Sequence, residues 1–177
     1  MRQKVTVARL QEFMKALASG LTQPARIFLV GGATAVLFGW RDSTIDIDLK
    51  LEPDSDELLR KLSLLKERLE VNVELAAPDD FIPELPGWRD RSRFIHQEGS
   101  LTFLHYDFYG QALAKIERGH EVDTRDVDEL IKNKLVDPHR LLEFFSQIED
   151  QLHKYPAIDA SDFRSAVESV TSKRDQD

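Results

Sequence analysis

Two carboxylates stand at alternate positions of an apolar run, TIDIDLKL, residues 44–51. Residues i and i+2 of a strand share one face, about 6.5 to 7 Å apart along the chain, so Asp46 and Asp48 could converge on one divalent cation or a pair. Mg²⁺ and Mn²⁺ take such oxygen ligands and keep positions open for water and phosphate. The same alternation also suits the solvated face of an ordinary edge strand.

Upstream, the apolar run RIFLV (26–30) ends at Gly31 and Gly32 and is followed by ATAVLFG. A glycine pair between a strand and a helix lets backbone N–H groups approach a phosphate closely. It equally suits a tight strand-helix turn that needs a positive φ.

These residues must be held by regular elements. Val7, Leu10, Phe13, Met14 and Leu17 recur at helical spacing before Gly20, which predicts an amphipathic helix. In 44–51 the alternation predicts a strand with Ile45, Ile47, Leu49 and Leu51 facing a core. Pro53, Asp54 and Ser55 then break the run and cap a helix carrying Leu58, Leu59, Leu62, Leu65 and Leu69. VNVELA (71–76) alternates again, with Asn72 and Glu74 on one face. The proline-rich stretch 78–93 reads as an irregular loop. SLTFLHYDFYG (100–110) predicts a strand paired with RFIH, placing His105 and Asp107 on one face. Beyond Tyr109 the pattern is helical, with three or four helices and an Asp137-Pro138 start to one of them. The expectation is an α+β fold in one domain: a small mixed sheet of four or five strands over residues 1–110, C-terminal helices of the same domain over 111–172 and a charged tail at 173–177.

The chain has 177 residues, 41% hydrophobic and 32% charged, enough for one core of ordinary size. It contains no cysteine, so any metal is held by oxygen or histidine. No apolar run is long enough to span a bilayer, and the start lacks a signal-peptide pattern; a cytoplasmic location is expected. A net charge of −8 argues against duplex DNA, whose binding needs many basic contacts. Arg89, Arg91 and Arg93 form the densest positive cluster, suited to a small nucleotide or an RNA end. Trp40 and Trp88 are of a type that stacks on bases, although both also suit core packing.

The joint pattern of hydrophobic strand, Gly-Gly, short helix and the Asp-hydrophobic-Asp strand resembles the nucleotidyltransferase superfamily with the polymerase-β-like fold. The resemblance implies that Gly31 and Gly32 hold nucleotide phosphates and that Asp46 and Asp48 bind catalytic Mg²⁺ or Mn²⁺. A second block, LAKIERGHEVDTRDVDEL (113–130), is similar to a segment of the bacterial AbiEii/MenT-like and related uncharacterised nucleotidyltransferases. It implies that Lys115 contacts the phosphates and that Asp123 or Asp126 supports the centre. Read without that resemblance, Lys115 and Arg118 suit an exposed helix face and Asp123 an N-cap. The superfamily uses a third carboxylate as base or ligand; Glu74 is the candidate taken for it, with Asp107 as the alternative.

The resemblance therefore implies transfer of a nucleoside monophosphate from a triphosphate to a hydroxyl of an RNA end, a protein or a small molecule. It also implies a bacterial toxin–antitoxin or phage-defence setting, with an antitoxin or other protein as partner. The competing expectations are a non-catalytic nucleotide- or protein-binding module on the same scaffold, and an antitoxin-like chain with no nucleotide site.

Overall fold

The structure, a computed structural model, describes residues 1–176. The chain forms two compact units, one comprising Met1–Ala77 and Ser92–Tyr106, the other Pro78–Arg91 and the chain from Asp107 onward.

The first unit holds the whole sheet and three helices: α1 (Val7–Ala18), β1 (Ala25–Val30), α2 (Gly32–Phe38), β2 (Asp46–Glu52), α3 (Asp56–Arg68), β3 (Asn72–Leu75), β4 (Arg93–Glu98) and β5 (Leu101–His105). The strand order is β3-β2-β1-β5-β4. β1 pairs antiparallel with β2 and parallel with β5, β2 pairs parallel with β3, and β4 pairs antiparallel with β5. The sheet is therefore mixed and has five strands, within the four or five expected.

Its core forms because the apolar stripes of two helices meet the apolar positions of the strands. Leu10, Phe13 and Leu17 of α1 and Leu58, Leu62 and Leu65 of α3 are buried in one cluster with Ile27, Leu29, Ile47, Leu49, Leu51, Val73, Leu101 and Phe103. Each such side chain contributes about 1.5–3 kcal/mol of burial. β2 alternates between buried and half-buried along its length, so its register fixes which residues leave the core. Thr6 and Ser55 cap α1 and α3, accepting hydrogen bonds from Arg9 N and Leu58 N.

β2 begins two residues later than its alternation suggests. Thr44 instead forms an isolated bridge with Val5, with reciprocal backbone bonds of 2.7 and 2.9 Å, and Ile45 is 67% exposed rather than in the core. The pairing of β1 with β2 ends at Val30 and Asp48, beyond which Gly31 turns the chain away.

The second unit is helical: α4 (Trp88–Arg91), α5 (Phe108–Arg118), α6 (Glu121–Lys132), α7 (Pro138–Ile148) and α8 (Ala160–Arg174), with 3-10 turns at Pro78–Asp80 and Glu149–Lys154. The stretch expected to be irregular thus supplies a 3-10 turn and a short helix over residues 78–91, which belong with the C-terminal helices, while its last residue, Arg93, opens β4. Asp137 caps α7 by accepting from His139 N and Arg140 N, with Pro138 in its first turn. Aromatic pairs bind this unit, Tyr109 against Phe144 and Phe145 against Phe163, with centroids 4.7 and 4.9 Å apart. Of the expected tail at 173–177, α8 takes in the first two residues, and residue 177 lies outside the described residues. Among the described residues no helix is long and apolar enough to cross a membrane.

Candidate active site

The parallel pairing of β2 with β3 sets Asp46 beside Asn72 and Asp48 beside Glu74. In-register neighbours share a sheet face, so these four side chains form a polar square opposite the core residues Ile47, Leu49 and Val73. Asn72 Nδ2 donates to Asp46 Oδ1 at 2.5 Å and to Glu74 Oε1 at 3.1 Å. The amide thereby draws together two carboxylates that would otherwise repel. Asp46 and Asp48 are half-buried and Glu74 is exposed, so the square opens to solvent from a rigid strand pair.

The glycine pair adjoins this square for two different reasons. Gly31 has φ 62° and ψ −120°, a conformation that side-chain-bearing residues rarely adopt. A Cβ there would lie 3.4 Å from Asp48 Oδ2, so the missing side chain leaves clear the space before that carboxylate. Gly32 is required by contact. A Cβ on it would lie 2.1 Å from Thr44 Oγ1, 2.7 Å from Thr44 Cβ and 3.4 Å from Arg41 Nη1. Thr44 in turn donates to Asp46 O at 3.1 Å, tying the loop after α2 to the first residue of β2.

Beneath the turn, His105 at the end of β5 is 5% exposed. Its Nδ1 shares a 2.9 Å hydrogen bond with Thr34 Oγ1 of α2, and the ring lies against Phe38, centroids 4.8 Å apart. Burial first, and then the Arg93 cation, lower its pKa to about 4, so His105 is neutral at physiological pH. It fastens α2, and with it the Gly31-Gly32 turn, to the sheet.

His105 does not share a strand face with Asp107, because β5 ends at His105. Asp107 belongs to the second unit, where it caps α5 by accepting from Tyr109 N at 3.2 Å and pairs with Arg91 Nη2 at 2.8 Å. A β-like pattern runs through this point, but the capping bond and the ion pair end the strand. Of the two candidates for a third carboxylate, Glu74 is the one that lies beside Asp48 on the sheet.

Lys115, Asp123 and Asp126 also come together in the second unit. Lys115 Nζ lies 2.8 Å from Asp126 Oδ2 and 3.6 Å from Asp123 Oδ1, while Arg118 holds Asp123 through both oxygens at 2.5 and 2.8 Å. Asp123 is buried in the first turn of α6, whose N-cap is His120, so it is not the cap that its position suggests. Burial works to raise its pKa, but the Arg118 bonds and the charges of Arg118 and Lys115 outweigh it and hold the carboxyl below its usual value. Lys115, read from sequence as part of an exposed face, is nearly buried.

The arginine cluster is similarly engaged. Arg89 pairs with Glu84 and lies over the Trp88 ring, Arg91 pairs with Asp107, and Arg93 lies over Phe38. Trp88 is buried and donates to Glu84 at 2.6 Å, which makes it a packing residue. Trp40 stacks on Phe38 at 5.6 Å.

Among the described residues, no group of three or more His, Asp or Glu is placed to hold a metal. Two carboxylates on one strand face are nevertheless the donor set that Mg²⁺ takes when substrate phosphates complete its shell. The space left by Gly31 lies beside one of them. Asn72 in the square, and Thr44 and Arg41 beside Gly32, carry no motif of their own. The alternation of 71–76 put Asn72 beside Glu74, but only the β2–β3 register brings it to Asp46.

The model of a family described as "Nucleotidyltransferase of unknown function (DUF6036)" matches residues 6–173, spanning both units. Neither a curated protein nor a solved structure gives a significant match.

Proposed function

The chain belongs to this nucleotidyltransferase family of unknown function, and we propose that it transfers a nucleoside monophosphate from a nucleoside triphosphate to an acceptor hydroxyl with a divalent cation. The observation that carries this reading is the side-chain-free space at Gly31 in front of Asp48 Oδ2, on the face that also presents Asp46 and Glu74.

Asp46 and Asp48 would hold Mg²⁺ or Mn²⁺, whose charge would offset that of the phosphates and of the pentavalent transition state. Gly31 keeps a Cβ out of the position that phosphate oxygens occupy. Glu74, lateral to Asp48 and open to solvent, accepts the proton of the acceptor hydroxyl. The hydroxyl oxygen bonds to the α-phosphorus, the bond from that phosphorus to the α–β bridging oxygen breaks, and pyrophosphate leaves. Most of the acceleration comes from position and charge, which suits side chains fixed on paired strands.

A second reading rests on Asn72. Its amide already bridges Asp46 and Glu74, supplying hydrogen bonds where a catalytic centre supplies a cation. On that reading the scaffold binds a nucleotide without turning it over.

Thermal melting with ATP, GTP, CTP and UTP, with and without Mg²⁺, separates the two. A ligand at a hundred times its Kd stabilises by about 2.7 kcal/mol. The enzyme reading predicts stabilisation that needs the metal and disappears in Asp46→Asn/Asp48→Asn; equal stabilisation without metal favours the binding module. No shift with any nucleotide contradicts both.

A further inference from the structure

We propose that Arg41 is a phosphate-binding residue of this site, receiving the part of the triphosphate chain that projects past the Gly31-Gly32 turn toward the loop after α2; the inference rests on the nucleotidyl-transfer reading above. The two glycines have Cα atoms about 3.8 Å apart and face different groups. Gly31 faces the Asp48 carboxylate, and Gly32 faces Thr44 and the Arg41 guanidinium, with Arg41 Nη1 3.4 Å from the position of a Cβ.

One dipeptide is thus flanked by an acidic group on one side and a cationic group on the other. A metal-bound triphosphate needs that pairing: carboxylates toward the cation, and a cation toward the phosphate oxygens that the metal leaves unneutralised. A guanidinium offers paired N–H donors for this task.

Arg41 is also positioned rather than trailing in solvent. Its backbone N donates to Ala35 O at 3.4 Å, its side chain is half-buried, and the loop that carries it is anchored through Thr44 to Val5 and to Asp46. Gly32 makes the approach possible, because any side chain there would collide with Thr44 and crowd the guanidinium.

The test is calorimetric titration of the full chain with Mn²⁺ complexes of ATP, GTP, CTP and UTP, and of the corresponding nucleosides. Wild type is compared with Arg41→Gln and Arg41→Lys, and Mn²⁺ alone is followed by electron paramagnetic resonance. Losing a charge-assisted hydrogen-bonding partner predicts a triphosphate affinity weaker by about tenfold or more in R41Q. Partial recovery is expected in R41K, with Mn²⁺ and nucleoside binding as in wild type. If wild type binds a triphosphate and both variants bind it equally well, the Arg41 assignment falls while the site survives. If wild type binds Mn²⁺ but no triphosphate, the nucleotidyl-transfer reading itself falls, and this inference with it. Should R41Q not fold, R41K decides alone, since Lys keeps the charge and loses the paired donors: wild-type affinity in it overturns the assignment.

Discussion

The Cβ that any other residue would place at Gly31 falls 3.4 Å from Asp48 Oδ2, so the glycine turn and the carboxylate define one space from opposite sides. Gly31→Ala pushes a methyl group into that space at a backbone conformation that disfavours it. It should cost about 1–3 kcal/mol of stability, and in the variant that still folds, metal-dependent nucleotide binding should fall. Chemical denaturation and calorimetry read the two effects separately; an unchanged affinity would show that the space is not used.

Gly32→Ala fails by collision. The added Cβ meets Thr44 Oγ1 at 2.1 Å and Thr44 Cβ at 2.7 Å, so the β2 approach must shift, at the roughly 1–3 kcal/mol typical of overpacking. Combining it with Thr44→Gly removes both colliding atoms, and the double variant should be more stable than the sum of the two single effects. Simple additivity, measured by urea unfolding, would mean that Thr44 is not what excludes a side chain at Gly32.

His105 predicts a pH dependence. Its folded pKa of about 4 lies below the value near 6.5 of an unfolded histidine, so the unfolded chain binds the extra proton more readily between them. The stability due to neutral His105 is present in full above about pH 6.5 and is lost as pH falls toward 4, roughly 3 kcal/mol in all. Urea midpoints of wild type and His105→Gln, measured from pH 7.5 to 4, should converge as pH falls. Parallel curves would mean that the buried ring is not what titrates.

Lys115 is placed by the two carboxylates it serves. Replacing it with Met leaves Asp126 and Asp123 buried with one cation fewer, and removing one partner of a buried pair typically costs about 3–5 kcal/mol. Lys115→Met should therefore unfold at markedly lower urea, with part of the loss restored by adding Asp126→Leu. A variant as stable as wild type that has lost only nucleotide affinity would instead support the phosphate contact implied by the sequence resemblance.

The strands and helices around the square were legible because their signals are local. Strict alternation in 46–51, the 3.6-residue spacing of Leu58, Leu62 and Leu65, and Asp137-Pro138 each follow from the chain's own periodicity or capping chemistry. Where reading failed, a non-local partner decided the outcome. Thr44 leaves β2 for a bridge to Val5, Asp107 ends β5 by capping α5 and pairing with Arg91, and Asp123 is drawn into α6 by Arg118. The paired aspartates and glycines could be singled out by spacing. The bridging role of Asn72 and the approach of Arg41 depend on strand register and on space beside a glycine, which a single sequence does not display.

On the proposed function, Asp46 and Asp48 support nucleotidyl transfer. The most direct measurement incubates the protein with each α-³²P-labelled nucleoside triphosphate, Mg²⁺ or Mn²⁺, and a whole-cell extract, then follows label into RNA, protein and small molecules. Label is expected in one of these fractions with wild type and in none with Asp46→Asn/Asp48→Asn. Equal labelling by the double variant, or no labelling by wild type with any nucleotide and either metal, would contradict that function.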